Sequence, residues 1–471
     1  MAELNLKQIT DKLNSEFAGD TRRLIFWYDD KAEFAEDIDT LELVNAGVYH
    51  LKPDNQFYTK YFLERQDLTT NYLIYAPFSK PAVRDNHLED MLLYSKQFFA
   101  DRASLLCVDL GIDEQYKPII QKYARFFQAK DRTRRFYKLE IENFTRDTIE
   151  IALMSVLCRT KTASFEEVVR AILTDGEIAE NKYLIEFEKF DLLPVFWRLC
   201  EVHFGYNDVK PSLEKLLLTF FVTYTFRHIQ GELPQAWQGF VAYKSGSIIA
   251  FLDNLMNNLQ YRDRYNELAD TVAKTLNVSA VLGTYPPEAL LNGDSFTVID
   301  ELIIGWIMER LLSQDMGGKL KDMTIPEVCQ KRSKMHFGKE YWSEYQMLEN
   351  AYYVIQGANY SCPDGFKEII KQYLAADYIF DTAYRYFYYW FDQLTSSHLK
   401  FEQLRDLVEN IYSNKYLSQI ISKWNMGILS EEAITALPLQ RKFYSKYISR
   451  YKDRVVVIIS DALRYETGRS L

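Results

Sequence analysis

The sequence predicts a small α/β domain with a largely parallel sheet, then a large all-α domain, then the first strand of another α/β domain. In the first 100 residues, short β-branched and aromatic runs alternate with helical stretches, which is typical of parallel βαβ units. Helical periodicity then continues almost to Tyr451. Close to the end, residues 455–460 form an apolar run of the kind found in strands that are buried on both faces.

The amino-terminal α/β domain is expected at residues 1–100. It begins with an amphipathic stretch at 4–17 that predicts a helix. The strands are predicted at 23–28, 48–51 and 72–75. Asp29 and Asp30 follow the first strand, a position at which some α/β folds hold metal ligands. Because no second acidic cluster of recognisable spacing accompanies them, we favour helix capping as their role.

The helical domain is expected at residues 101–450. Ser164-Phe165-Glu166-Glu167 matches a capping box, with Gly176 placed to end the same helix, and Ser212 is predicted to begin another. Further helices are predicted at 296–312, 340–356, 366–394, 401–424 and 442–450. The aromatic-rich run 378–391 either packs into the core or lines a binding groove, and we favour the core.

Composition and charge exclude several classes of protein. The chain has 56 Lys and Arg against 66 Asp and Glu, a net charge of −10, so it is not expected to bind nucleic acid over its whole surface. The five cysteines are scattered singly, which is typical of a reducing compartment. The apolar tract at 216–226 is too short to span a bilayer, so we expect a cytoplasmic protein without membrane association. Gly318-Lys319 lacks the rest of a phosphate-binding loop.

Two basic clusters keep a nucleic-acid hypothesis open. The amino-terminal basic cluster lies beside Phe136 and Tyr137 and consists of Lys130, Arg132, Arg134, Arg135 and Lys138. The carboxyl-terminal basic cluster, within residues 441–454, interleaves Arg441, Lys442, Lys446, Arg450, Lys452 and Arg454 with Phe443, Tyr444, Tyr447 and Tyr451. Such mixtures suit base stacking combined with phosphate contacts. The alternative, which we favour, is that the aromatic residues pack inward while the basic residues coat the outer face of a helix.

The most specific sequence feature lies near the carboxyl terminus. Asp461 directly follows the apolar run, where α/β folds bind ligands, so it is either a metal ligand or the cap of a helix beginning at Ala462. The run 457–460 and the string Asp-Ala-Leu-Arg-Tyr-Glu at 461–466 resemble the opening of the PglZ domain, a branch of the alkaline phosphatase superfamily. Segments 23–30 and 71–78 are similar to the long PglZ proteins of bacterial BREX phage-defence systems.

The resemblance implies that Asp461 is the first ligand of a centre of two divalent metal ions, commonly zinc, that hydrolyses phosphoesters. Arg464 and Glu466 are expected to support this site or its helix, whereas Thr467 and Ser470 are expected to be structural. A catalytic zinc usually has at least three protein ligands. The remaining ligands and a Ser or Thr nucleophile are therefore expected after residue 471, and the chain alone is expected to hold no metal and to be inactive.

The resemblance also implies a role for the rest of the chain. Residues 451–471 are expected to be the first strand and helix start of a truncated PglZ domain, resembling alkaline phosphatases. Residues 1–440 are expected to be an interaction scaffold for other BREX components: the small BrxB protein, the large ATPase and the adenine methyltransferase. The alternative function is DNA binding through the two basic clusters, at 130–138 and 441–454.

Overall fold

The computed structural model describes residues 2–394, 399–427, 435, 437 and 439–470. The chain divides into two compact units, Met1–His203 and Phe204–Leu471. Across the described ranges, no helix combines the length and the apolar character needed to cross a bilayer. All five cysteines are buried with free thiols. The domain boundaries expected at residues 100 and 450 stay predictions.

The first unit begins with a four-stranded parallel sheet of order β2-β3-β1-β4. Its strands are β1 (Leu24–Tyr28), β2 (Ala46–His50), β3 (Asn71–Ala76) and β4 (Lys96–Gln97). The three strands expected from the sequence are therefore confirmed to within two residues. The fourth strand has only two exposed polar residues, so it carries no apolar alternation from which it could have been predicted.

Strand β1 is apolar along most of its length because both of its faces are covered. Ile25 and Trp27 pack into one core with residues of the first helix, and Leu24 and Phe26 pack into a second core on the other face. Successive side chains of a strand point to opposite faces, so a central strand must be apolar at both sets of positions. This arrangement fixes the carboxyl end of β1 as a rigid edge.

The rest of the first unit is helical. Its helices are α1 (Ala2–Glu16), α2 (Gln56–Tyr61), α3 (Glu89–Tyr94), α4 (Arg102–Leu110), α5 (Lys117–Lys122), α6 (Ala124–Phe127), α7 (Lys130–Tyr137), α8 (Arg146–Cys158), α9 (Phe165–Thr174), α10 (Lys182–Lys189) and α11 (Leu193–Phe204). Ser164 precedes α9 as expected, but its side chain forms no capping hydrogen bond. Glu166 and Glu167 in the first turn instead favour the helix terminus through their charge.

The described residues of the second unit form helices and a two-stranded hairpin, β5 (Lys319–Leu320) and β6 (Met323–Thr324), joined by irregular segments. Its helices are α12 (Leu213–His228), α13 (Ser245–Asn257), α14 (Arg262–Thr275), α15 (Val278–Leu282), α16 (Pro287–Leu290), α17 (Thr297–Leu312), α18 (Ile325–Arg332), α19 (Trp342–Ile355), α20 (Phe366–Gln372), α21 (Tyr378–Phe391), α22 (Leu399–Asn410), α23 (Ser418–Gly427) and α24 (Tyr465–Ser470). Ser212 caps α12 as expected, because its hydroxyl accepts the Lys215 N–H at 3.2 Å.

Two long helices expected in this unit are interrupted. A π-helical turn, Tyr373–Asp377, separates α20 from α21, and another, Ile411–Leu417, separates α22 from α23. The residues expected to be helical at 442–450 form a π-helical turn at Tyr444–Ile448 instead of an α-helix. Such turns are rare in proteins and occur often near functional sites.

The aromatic helix α21 is half-buried rather than enclosed. Only Ala383 and Phe387 are fully buried. The hydroxyls of Tyr384 and Tyr388 both donate to Oε2 of Glu409, at 2.5 and 2.8 Å. The favoured core interpretation therefore holds for one stripe of the helix, while tyrosine hydroxyls reach carboxylates at its edge.

The strand expected at residues 455–460 is not formed. The segment is irregular, and its large apolar side chains from Val455 to Ile459 are between 41% and 89% exposed. A strand satisfies its backbone groups by pairing, and an unpaired one is unstable in water. This segment pairs with no other strand in the described chain, so its backbone does not form the expected strand.

Candidate metal centre at the carboxyl-terminal segment

Asp461 lies in an exposed turn after the irregular apolar segment. Ala462, the next residue, has a φ of +56°. The helix that was expected to begin at Ala462 begins at Tyr465, so Asp461 is too far from it to act as its cap. The capping alternative is therefore wrong, and the Asp461 side chain is exposed.

Glu466, by contrast, points into the second unit. It is only 2% exposed, and its Oε1 has no hydrogen-bond partner among the described residues. Burial raises the pKa of the nearby Asp381 carboxyl, the Glu466 charge adds to that rise, and Arg464 opposes it. The charges of Arg464 and Glu466 thus act on the same carboxyl group of α21, and their supporting role stays a prediction.

Helix α24 is held on the π-helical turn and α21 by aromatic contacts. The Tyr465 hydroxyl donates to the Leu374 carbonyl at 3.2 Å, and its ring lies 5.7 Å from that of Tyr378. The Arg469 guanidinium lies 5.5 Å from the centre of the Tyr378 ring. Ser470 donates to the Glu466 carbonyl at 3.0 Å, a contact within the helix that fits its expected structural role. The contacts of α24 therefore fix the chain just after Asp461.

The chemistry available at this segment is that of a single carboxylate. In the parts of the chain that the structure describes, no three His, Cys, Asp or Glu side chains come together as a metal site. An exposed aspartate suits a divalent cation such as zinc, but a catalytic zinc usually has at least three protein ligands. Asp461 accordingly fits one position of a metal centre and leaves the other positions to be supplied by other residues.

Asp29, at the end of β1, has a structural role. Its Oδ2 accepts the Phe34 N–H at 2.8 Å and the Tyr75 hydroxyl at 2.7 Å. The carboxylate thus caps the loop after β1 rather than a helix, while Asp30 is exposed. A cavity of about 440 Å³ opens beside this loop, and its lining carries both signs of charge, including Glu36 and Lys130.

The amino-terminal basic cluster is largely occupied by internal contacts. Arg132 donates to the Phe126 carbonyl at 2.8 Å, and its guanidinium lies 4.8 Å from the centre of the Phe190 ring. Arg134 and Arg135 both pair with Asp131, at 2.7 and 2.5 Å. Lys130 lies 3.5 Å from Asp37. Of the five basic residues, this leaves Lys138 as the exposed one without an ion pair in the described chain.

The carboxyl-terminal basic cluster is different, because its aromatic residues are exposed. Phe443, Tyr444, Tyr447 and Tyr451 are all between 42% and 69% exposed. Lys446 lies 5.2 Å from the centre of the Tyr447 ring, and Arg450 lies 5.3 Å from that of Tyr451. The expectation that these aromatic residues pack inward is therefore wrong for this cluster.

The comparisons show that the chain is similar, over nearly its whole length, to two alkaline phosphatase-like proteins. It is 33% identical, over 99% of its length, to the alkaline phosphatase-like protein PglZ of Bacillus cereus strain H3081.97. It is 26% identical, over 98% of its length, to the alkaline phosphatase-like protein BrxZ of Escherichia coli O9:H4 strain HS. The resemblance to PglZ proteins is thus confirmed. The chain spans 56% of the length of each relative.

Two further comparisons give no match. No protein-family model matches the chain. No solved structure matches it. The relationship to PglZ-type proteins therefore depends on whole-chain sequence similarity to the two curated relatives.

Proposed function

We propose that this chain is the amino-terminal part of a metal-dependent phosphatase or phosphodiesterase that acts in BREX phage defence. The similarity to PglZ and BrxZ over nearly the whole chain is the observation that carries the proposal. Because the chain spans 56% of either relative, the catalytic centre is proposed to form only together with residues outside it. The 471 residues alone are then inactive.

In this proposal Asp461 is the first protein ligand of the metal centre. Two divalent ions, such as zinc, would stabilise the attacking and the leaving oxygens of an in-line displacement at phosphorus. The segment 455–460 would become a strand within the completed sheet, which would bring Asp461 from its exposed turn to the strand end. Glu466 and Arg464 would hold the following helix through their contact region with α21.

The experiment that tests the enzyme compares this chain with a chain of the relatives' full length. Both are assayed with an aryl phosphate and an aryl phosphodiester in the presence of zinc, magnesium or manganese. The longer chain is expected to hydrolyse at least one substrate and to lose that activity with Asp461→Asn. Turnover by residues 1–471 that Asp461→Asn abolishes would contradict the proposal.

For residues 1–440 we propose a scaffold role in the cytoplasm, with binding to BrxB, the large ATPase or the adenine methyltransferase. Its support is the helical architecture together with the lack of a metal cluster among the described residues. Purified residues 1–471 immobilised on a matrix should retain at least one of the three proteins. Retention of none of them would remove this role.

Nucleic-acid binding through the carboxyl-terminal basic cluster is the second candidate function. The exposed Tyr444 and Tyr451 rings beside cationic side chains favour it, because exposed aromatic rings can stack on unpaired bases. Lys446→Glu with Arg450→Glu should weaken the binding of a labelled single strand and flatten its salt dependence. The matched control reverses two exposed lysines of α20, Lys367 and Lys371. Equal loss in both variants would contradict the proposed site.

A further inference from the structure

A pocket of about 360 Å³ in the first unit is lined by four cationic side chains and no acidic one. It lies at the carboxyl ends of α7 and α8. Its lining residues are Arg135, Lys138, Leu139, Val156, Arg159, Thr160 and Lys161. Only Arg135 and Lys138 belong to the amino-terminal basic cluster, so the pocket combines cations that are distant in sequence. A concave group of like charges requires an explanation, because they repel one another.

The pocket lining combines exposed cations with apolar side chains. Val156 is buried, whereas Lys138, Arg159 and Lys161 are exposed. Arg135 is paired with Asp131 at 2.5 Å. Lys138, Arg159 and Lys161 form no ion pair with an acidic side chain in the described chain. The Asp131 carboxylate is nevertheless near Arg159, because Arg134, Arg135 and Arg159 together lower the pKa of that carboxyl. The three cations therefore remain available to a ligand that enters the pocket, with one carboxylate close to Arg159.

The backbone at Arg159 adds a second, independent observation. Arg159 ends α8 with a φ of +58°, a left-handed conformation in which glycine is the usual residue. A residue with a Cβ is less favourable than glycine in this conformation. Arg159 is one of eight described non-glycine residues with a positive φ, so its conformation supports a function only together with its place in the cationic pocket.

A purely structural explanation accounts for only part of this arrangement. Cations near the carboxyl end of a helix interact favourably with its dipole, and both α7 and α8 end here. That effect explains a basic residue in the last turn of each helix. It does not explain why arginine occupies the left-handed position, where glycine would be more stable, or why Lys161 extends the charge beyond the helix end.

We infer that this pocket binds a phosphate group, either of a small nucleotide or phosphate ion or of a nucleic-acid strand. The Arg159 guanidinium presents a planar set of donors that suits phosphate oxygens, and Lys138 and Lys161 supply point charges beside it. The apolar lining residues Val156 and Leu139 offer a surface for a sugar. The inference goes beyond the proposed hydrolase and is tested by binding, so loss of catalysis elsewhere does not affect its outcome.

The sharpest variant is Arg159→Gly, because glycine is favoured at a φ of +58°. Its melting temperature is expected to equal or exceed that of the parent chain. Its affinity for a phosphate ligand is nevertheless expected to fall by about tenfold, the effect of losing one hydrogen bond to a charged group. A structural role for Arg159 would instead leave ligand affinity unchanged, so the two measurements together separate the explanations.

The binding experiment uses pyrophosphate and a labelled 15-nucleotide thymidine strand with residues 1–471 at low salt. Arg159→Glu with Lys161→Glu should abolish binding, and the control Lys31→Glu with Arg84→Glu, also two exposed cations of the first unit, should retain it. Displacement of the strand by pyrophosphate identifies a strand phosphate as the ligand, and pyrophosphate binding alone identifies a small phosphate. Binding of neither probe by the parent chain, equal losses in both double variants, or parental affinity in Arg159→Gly would overturn the inference.

Discussion

Ile458 provides a test of whether the exposed apolar segment is a strand that lacks its partners. Its side chain is 89% exposed in this chain, so Ile458→Ala removes almost no buried area. The substitution is therefore expected to change the free energy of unfolding by less than about 0.5 kcal/mol, as is usual for exposed positions. In a chain of the relatives' full length, where we propose that the segment is buried in a sheet, it should cost about 2–5 kcal/mol.

The assay is urea denaturation of both chains, each with and without the substitution. Ile303→Ala, at a fully buried position of α17, is the matched control and should cost about 2–5 kcal/mol in either chain. The reasoning would be refuted if Ile458→Ala destabilised the 471-residue chain as much as the control does. It would equally be refuted if the substitution had no effect in the longer chain.

Three further predictions concern the second unit. Arg332 is fully buried and paired with Asp300 through Nη2–Oδ2 at 2.7 Å. Arg332→Met should lower the free energy of unfolding in urea by about 3–5 kcal/mol, and adding Asp300→Leu should recover much of this loss. Purely additive costs of the two substitutions would contradict the prediction. Burial, with Arg262 and Lys339 nearby, lowers the pKa of His336 to about 4. The contribution of neutral His336 to stability is complete above pH 6.5 and is lost as pH falls towards 4, because the unfolded state then binds the proton more tightly. If His336→Gln leaves the slope of stability against pH in this window unchanged, the prediction is refuted. Tyr465→Ala should speed amide hydrogen exchange throughout α24 while exchange in α17 stays slow, and unchanged exchange in α24 would show that its aromatic contacts do not hold it.

Much of the first unit could be predicted from the sequence because its strands have a clear pattern. The apolar run of β1 and the alternation of strands with helices indicated a parallel sheet, and the structure confirms both. The short β4 could not be predicted, since it pairs through two backbone residues and has no apolar side chain. The division between the two units at residues 203 and 204 falls at the end of α11, where no linker composition marks it.

The second unit was harder to predict where local pattern and tertiary contacts disagree. Residues 455–460 have a high preference for strand, but strand formation depends on partners that the described chain does not provide. The π-helical turn at Tyr373–Asp377 sits where Tyr465 of a distant segment packs, and periodicity along one helix carries no information about that contact.

For the candidate site, the sequence indicated which residues to consider but not whether each is exposed or buried in the folded chain. It singled out Asp461 and Glu466 together, but the former lies in an exposed turn and the latter is buried. The amino-terminal basic cluster could not be divided from sequence into internally bound and available members. That division depends on Asp131 and on aromatic rings that only the folded chain brings close. Arg159 and Lys161 were missed because they follow a different helix.

The most direct test of the central proposal is the number of zinc ions that remain bound per chain after dialysis. For a chain of the relatives' full length we expect two, because both metal positions would then be complete, and fewer after Asp461→Asn. For residues 1–471 we expect none, since no group of three or more potential ligands comes together among the described residues. Stoichiometric zinc on residues 1–471, or two zinc ions retained by the longer Asp461→Asn variant, would contradict the account.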